Sequence, residues 1–201
     1  MQQESPRKPS RRPRVDGERN RARLITAAKR ACAEKGAAVS LEHIAREADV
    51  SIATLYRHFP TRDELISAVY QQEVDMLIEA ADQLMTEREP AIALREWLML
   101  FVGFLDAKYG MAEAMDTLIG GPEPLYSRTP HRLDVPIKAL VAGGVATGVF
   151  RDDFDPHDLL RALAGVAHVR PGENWKQSAV RMVDILIKGM QATPRSSLTS
   201  A

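Results

Sequence analysis

Thr54, Tyr56, Arg57 and His58 crowd more hydrogen-bonding chemistry into one short stretch than any other part of the chain. A methyl-bearing hydroxyl, a phenol, a planar guanidinium and an imidazole suit contact with phosphate oxygens and base edges better than bond breaking. At helical spacing they share one side of a short helix, and Leu55 and Phe59 form its apolar back. A rigid polar face on a helix gripped from behind is what entry into a DNA major groove requires. An ordinary solvated face is the plain alternative.

The elements that would hold this face are legible around it. Leu41, Ile44, Ala45 and Ala48 make one apolar side of a preceding short helix, and Val50 plugs the turn between the two. Ser40 and Ser51 are the N-caps of the two helices, so the stretch reads as a helix-turn-helix. Upstream, a first helix is predicted from about Asp16 or Glu18 to Lys35. Leu24, Ala27, Ala28 and Ala31 pack it and Gly36 stops it. Thr61, with Glu64 three residues on, caps a fourth helix running from Arg62 to about Thr86.

Ile44-Ala45, Ala48, Val50-Ser51, Thr54-Leu55-Tyr56, His58-Phe59, Arg62 and Leu65 form a string that resembles the DNA-binding half of the TetR family of bacterial transcription regulators. Ile25-Thr26-Ala27-Ala28 and Glu34-Lys35-Gly36 extend the resemblance over about residues 20 to 70. Asp49 departs from the pattern, standing where the family often has glycine. The resemblance implies a DNA-binding set of Ser40, Ser51, Ala53, Thr54, Tyr56, Arg57, His58 and Arg62. It places Ala53 and Thr54 near base edges, Arg57 on a guanine or a phosphate, and Tyr56 and His58 on phosphates. Ser40 and Arg62 begin flanking helices, where a phosphate is favoured.

The rest of the chain reads as further helices, giving an all-α fold of about nine. A fifth is predicted over Pro90 to Lys108 and a short sixth over Met111 to Ile119. A loop follows over Pro122 to Thr129, then a seventh helix from Leu133 to Thr147. Gly143-Gly144 either weaken that seventh helix or permit a close contact. Gly148 reads as a C-cap, Asp155 as an N-cap and Pro156 as the first residue of a helix over about 156 to 168; a last helix spans about 173 to 192. The expected domains are a disordered basic arm (1–15), the helix-turn-helix domain (16–67), an effector-binding and dimerisation domain (68–192) and a disordered polar tail (193–201).

The resemblance also implies a small-molecule pocket in the larger domain, for an effector of largely apolar character. Trp97, Phe101, Phe104, Leu105, Met111, Met115 and Leu118 are its candidate lining. Leu159, Ala162, Leu163 and Val166, with Ala179, Val183, Leu186 and Met190, form apolar stripes on the last two helices. They are the candidate homodimer face. Simple intramolecular core is the plain alternative for either set.

The bulk numbers agree with a DNA partner once the chain is divided. Overall net charge is zero, but residues 1–67 hold 14 Lys and Arg against 9 Asp and Glu. The basic half is the half with the polar helix face. Hydrophobic residues make up 45% of the chain and aromatic ones only 5%, a composition for packed helices. Cys32 is the only cysteine, so no internal disulfide exists. There is no apolar leader and no run long enough to span a bilayer, which points to the cytoplasm. The histidines at 43, 58, 131, 157 and 168 are scattered without metal-ligand spacing, and no nucleophile motif or phosphate loop occurs. No metal, cofactor or catalytic role is therefore expected. The function expected is a sequence-specific DNA-binding regulator, a repressor released from a near-palindromic operator by a ligand. The alternative is a ligand-independent architectural protein whose larger domain only dimerises.

Overall fold

The computed structural model describes residues 12–169 and 174–192. Ten α-helices run through them: α1 (Arg12–Lys35), α2 (Leu41–Glu47), α3 (Ile52–His58), α4 (Arg62–Glu87), α5 (Pro90–Gly110), α6 (Ala112–Asp116), α7 (Glu123–Tyr126), α8 (Thr129–Ala146), α9 (Pro156–Val169) and α10 (Trp175–Met190). The fold is all-α, as the sequence predicts. Among the described residues the one strand-like feature is a single antiparallel bridge between Phe150 and Gln191.

Three segments differ from expectation, and prolines account for two of them. Pro122 and Pro124 preset φ at the start of a turn where their missing N–H groups cost nothing. The predicted loop therefore closes into the single-turn helix α7, with the Pro122 carbonyl accepting from Leu125 and Tyr126. Pro130 likewise sits in the first turn of α8, which begins at Thr129 rather than Leu133. Helix α1 starts at Arg12, so the end of the predicted disordered arm is helical. The remainder of that arm and the 193–201 tail lie outside the described residues.

The chain divides into two compact units. The first contains the chain through Val69 together with Met111–Ile119; the second contains Tyr70–Gly110 and the chain from Gly120 on. In the first unit, Leu24, Ile44, Leu55, Leu65 and Ile66 are fully buried. The segment around α6 joins this unit rather than the larger one. Gly36 has φ +59, the left-handed region that favours glycine, and the flexible Glu113 carboxylate of α6 occupies the space where a Cβ would stand. The Ile119 N–H donates to the Asp63 carboxylate at 2.9 Å.

In the second unit, α5 packs against α8, α9 and α10. Trp97 anchors it: the indole is fully buried and its N–H donates to the Leu77 carbonyl at 2.7 Å, which removes the cost of burying that donor. After α8, Gly148 takes φ +71 as a C-cap. The chain then ties to the end of α10 through Arg151 N–H to Met190 O and Ala192 N–H to Val149 O.

Candidate nucleic-acid interface and an amphipathic cavity

Helix α3 is short, so its stability comes from its ends and its back. Ser51 caps it, its Oγ accepting from the Thr54 N–H at 3.1 Å. Ser40 caps α2 in the same way through His43 N–H at 3.2 Å. Leu55 and Phe59 are buried. The turn between the helices keeps a left-handed residue although it lacks glycine: Asp49 has φ 52, and its carboxylate meets Arg23 at 2.8 Å. Aspartate is among the few side chains that tolerate this region, so the departure from the family pattern leaves the turn geometry in place.

The eight sequence-derived DNA positions fall into two groups. Ser40, Ser51, Ala53, Tyr56 and Arg57 are exposed, with Tyr56 at 46%, and the last three share the outer side of α3. The other three are engaged within the protein. The Thr54 hydroxyl lies 2.9 Å from Ser51 Oγ. His58 turns towards α1: its Nε2 is enclosed and has no hydrogen-bond partner among the described residues. A Cβ on Gly17 would lie 3.8 Å from the His58 Cε1. Burial holds the imidazole below its ordinary pKa, and the neighbouring Arg57 and Arg21 charges push it the same way. Arg62 donates to the Val39 carbonyl, fastening the start of α4 to the segment ahead of α2. Sequence reasoning missed Arg21, whose guanidinium stands 5.2 Å over the Phe59 ring and helps hold α3 from behind.

The second unit contains a cavity of about 390 Å³. Phe101, Phe104 and Leu105 line it, as the sequence suggests. Trp97 does not, being committed to the core, and Met111, Met115 and Leu118 are buried in the other unit. The remaining wall was not legible in the sequence: Tyr70, Lys108, Tyr126, Thr129, His157 and Arg161 bring polar atoms from α4, α5, α7, α8 and α9 to one space. Thr129 Oγ1 donates to the Leu125 carbonyl at 3.0 Å, so the 2.6 Å bond between it and Tyr70 is donated by the phenol. The Lys108 ammonium sits 3.8 Å over the Tyr126 ring.

The candidate dimer stripes also divide. Leu159, Leu163, Ala179, Val183 and Met190 are buried within the single chain, where α9, α10 and α5 pack together. Ala162, Val166 and Leu186 stay half-exposed, beside Val169 at 78% and Ile185 at 62% exposure. Among the described residues no group of histidine, cysteine and carboxylate side chains is placed to hold a metal, and no helix is long and apolar enough to cross a membrane.

Comparison with known proteins places this geometry. Residues 24–69 match the family described as "Bacterial regulatory proteins, tetR family". Residues 89–192 match "Transcriptional regulator SbtR-like, C-terminal domain". A TetR transcriptional regulator from Streptomyces coelicolor is 36% identical with a TM-score of 0.77, covering 86% of this chain and 99% of its own. A TetR transcription regulatory protein from Mycobacterium vanbaalenii is 28% identical with a TM-score of 0.72, covering 89% of this chain and 99% of its own. The nucleoid occlusion factor SlmA of Marinomonas sp. (strain MWYL1) is 28% identical over 102 residues, 49% of this chain. That match spans about half (52%) of the relative's length.

Proposed function

The chain belongs to the TetR family of bacterial transcription regulators, and on that premise we propose that it is a homodimeric repressor released from its operator by a small molecule bound in the second unit. Members of this family are DNA-binding regulators rather than enzymes. The observation that carries the DNA-reading part is α3 itself: capped by Ser51, held by Leu55 and Phe59, and exposing Ala53, Tyr56 and Arg57 together.

Arg57 is the base-reading candidate and Tyr56 a phosphate contact. Ser40 and Ser51 present hydroxyls at helix N-termini, where an anion is favoured. Thr54, His58 and Arg62 support the helix from within. Their contacts inside the protein support a role in positioning α3, with the Thr54 methyl still able to meet a thymine. The dimer face is the apolar stripe left open along α9 and α10: Ala162, Val166 and Val169, with Met182, Ile185 and Leu186. A two-fold dimer would set two α3 helices into successive major grooves, about 34–36 Å apart. The cavity is the effector site. Tyr70, in its wall, lies on α4, the helix that begins with Arg62 in the first unit. Lys108 precedes Met111 of that unit by three residues. An effector shifts the equilibrium only if it binds the DNA-free arrangement more tightly.

A second reading, a DNA-binding protein without an effector, draws on the partial match to a nucleoid occlusion factor. Binding to genomic fragments, including the DNA flanking the protein's own gene, tests the first reading at physiological salt. The expected result is a competitor-resistant near-palindromic site. Weak binding that vanishes with modest added salt removes the specific-regulator reading.

A further inference from the structure

Three basic side chains reach the cavity wall, and carboxylates flank two of them. The Arg161 guanidinium donates to Asp158 at 2.8 Å and to Asp155 at 3.2 Å. His157 stands between Asp134 and Asp155, its Nε2 3.3 Å from one and its Nδ1 3.5 Å from the other. Lys108 differs. No ion pair to a carboxylate forms at its ammonium among the described residues, and Glu123 acts on it through charge alone. Its neighbour is the face of Tyr126, and burial pushes its pKa down. Its Nζ is not among the fully enclosed unpartnered atoms, so water reaches it, and an anion that replaces that water gains a charge-assisted hydrogen bond.

Two of the hydroxyls nearby are already committed. Tyr70 donates to Thr129, and Thr129 donates to Leu125, so neither has a hydrogen left for a ligand. Around Lys108 the wall is apolar and aromatic: Phe101, Phe104, Leu105, Leu133 and Leu160. A volume of about 390 Å³ is at the low end of small-molecule sites. One uncompensated cation matches a monoanion; a phosphate dianion calls for several convergent donors.

Resting on the reading of this cavity as the effector site, we propose that its ligand is a compact amphipathic anion, a carboxylate on an aromatic or aliphatic body, with Lys108 as its counter-ion. The effector is then not simply apolar. Its body fills the aromatic end and its carboxylate accepts from the Lys108 ammonium.

The test uses the full-length protein and four carboxylates: benzoate, phenylacetate, 4-phenylbutyrate and octanoate. Each is paired with its neutral primary amide and the amine of matching length. Binding is detected by saturation-transfer NMR and quantified by calorimetry. A carboxylate should bind about tenfold more tightly than its amide, the scale of one charge-assisted hydrogen bond. Lys108→Met should erase that preference and Lys108→Arg retain it. Ala164→Phe, or the milder Ala164→Leu, fills the cavity and should weaken every probe; helical circular dichroism checks that both fold. Amides or amines that bind as well as the acids, and are lost on filling, overturn the anionic class while the effector-site reading stands. A preference that survives Lys108→Met overturns the role of that lysine. Absence of binding by every probe, or binding indifferent to filling, overturns this inference and the effector-site reading together.

Discussion

Adjacent glycines in α8 should respond to the same substitution with opposite signs. At Gly143, which is exposed, a Cβ would have nothing within 4 Å. Alanine there only removes unfolded-state freedom and improves helix propensity, a gain of about 0.4–1 kcal/mol. At Gly144 a Cβ would lie 2.0 Å from Cδ2 and 2.4 Å from Cε2 of Phe150, a ring that is 2% exposed. The ring cannot simply swing aside, because its own N–H and that of Val149 both donate to the Gly144 carbonyl. Overpacking of this kind costs about 1–3 kcal/mol. Expelling the ring instead forfeits about 1.5–3 kcal/mol of burial. After the propensity gain, Gly144→Ala should still destabilise by about 1–2 kcal/mol. At about 2–4 °C per kcal/mol for a chain of this size, the two variants should melt about 3–12 °C apart, with wild type between them. Thermal unfolding by circular dichroism at fixed protein concentration measures this. Equal shifts of the same sign would refute the claim that Gly144 is held by contact with Phe150.

Ser51→Ala removes the cap of α3 and should cost about 1 kcal/mol in urea unfolding, with weaker operator binding as well. Arg57→Ala should change operator preference in a selection assay, whereas Tyr56→Phe should weaken binding to all sequences alike. Because His58 is held below its ordinary value of 6.5, the unfolded chain takes the proton first on acidification. Its stabilising contribution is intact above 6.5 and is lost as pH falls through the window beneath; in His58→Gln the stability change between pH 7.5 and 5.5 should shrink. Ile185→Asp changes a side chain already exposed in the single chain, so it should leave folding intact while sedimentation shows monomers.

The first unit was legible because its information is local. Caps, the turn and the buried back of α3 all lie within a few residues of what they stabilise, so Ser40, Ser51, Leu55 and Phe59 announce their roles by type and spacing. What was not legible there concerns direction. Periodicity places His58 on the polar side of α3, but the imidazole turns inward against α1, where its Nε2 is enclosed. Arg62 reads as a phosphate ligand at a helix start, and nothing in that spacing shows that its guanidinium also donates to the Val39 carbonyl. The prolines at 122, 124 and 130 read as loop signals, yet in the first turn of a helix they are compatible with helix formation.

In the second unit the informative contacts join residues far apart in sequence. Met115 and Phe104 carry the same apolar signal. One is buried in the first unit and the other faces the cavity, and nothing in a helical period separates core from pocket wall. Nor does sequence spacing show that Lys108, Tyr126, Thr129 and Tyr70 converge, since they come from four helices. Charge gives the sharper lesson. Lys108 stands in the last turn of α5, where a cation favours the helix dipole. Arg161, by spacing, pairs with Asp158 on its own helix. The structure keeps the second pairing and leaves Lys108 partly buried over an aromatic ring without a carboxylate. Local charge balance pairs Arg161 and leaves Lys108 as the cation that remains available, and only the packing of other helices shows that it borders a cavity. The available one is the cation whose own helix offers no acid within reach and whose neighbours from other helices are apolar.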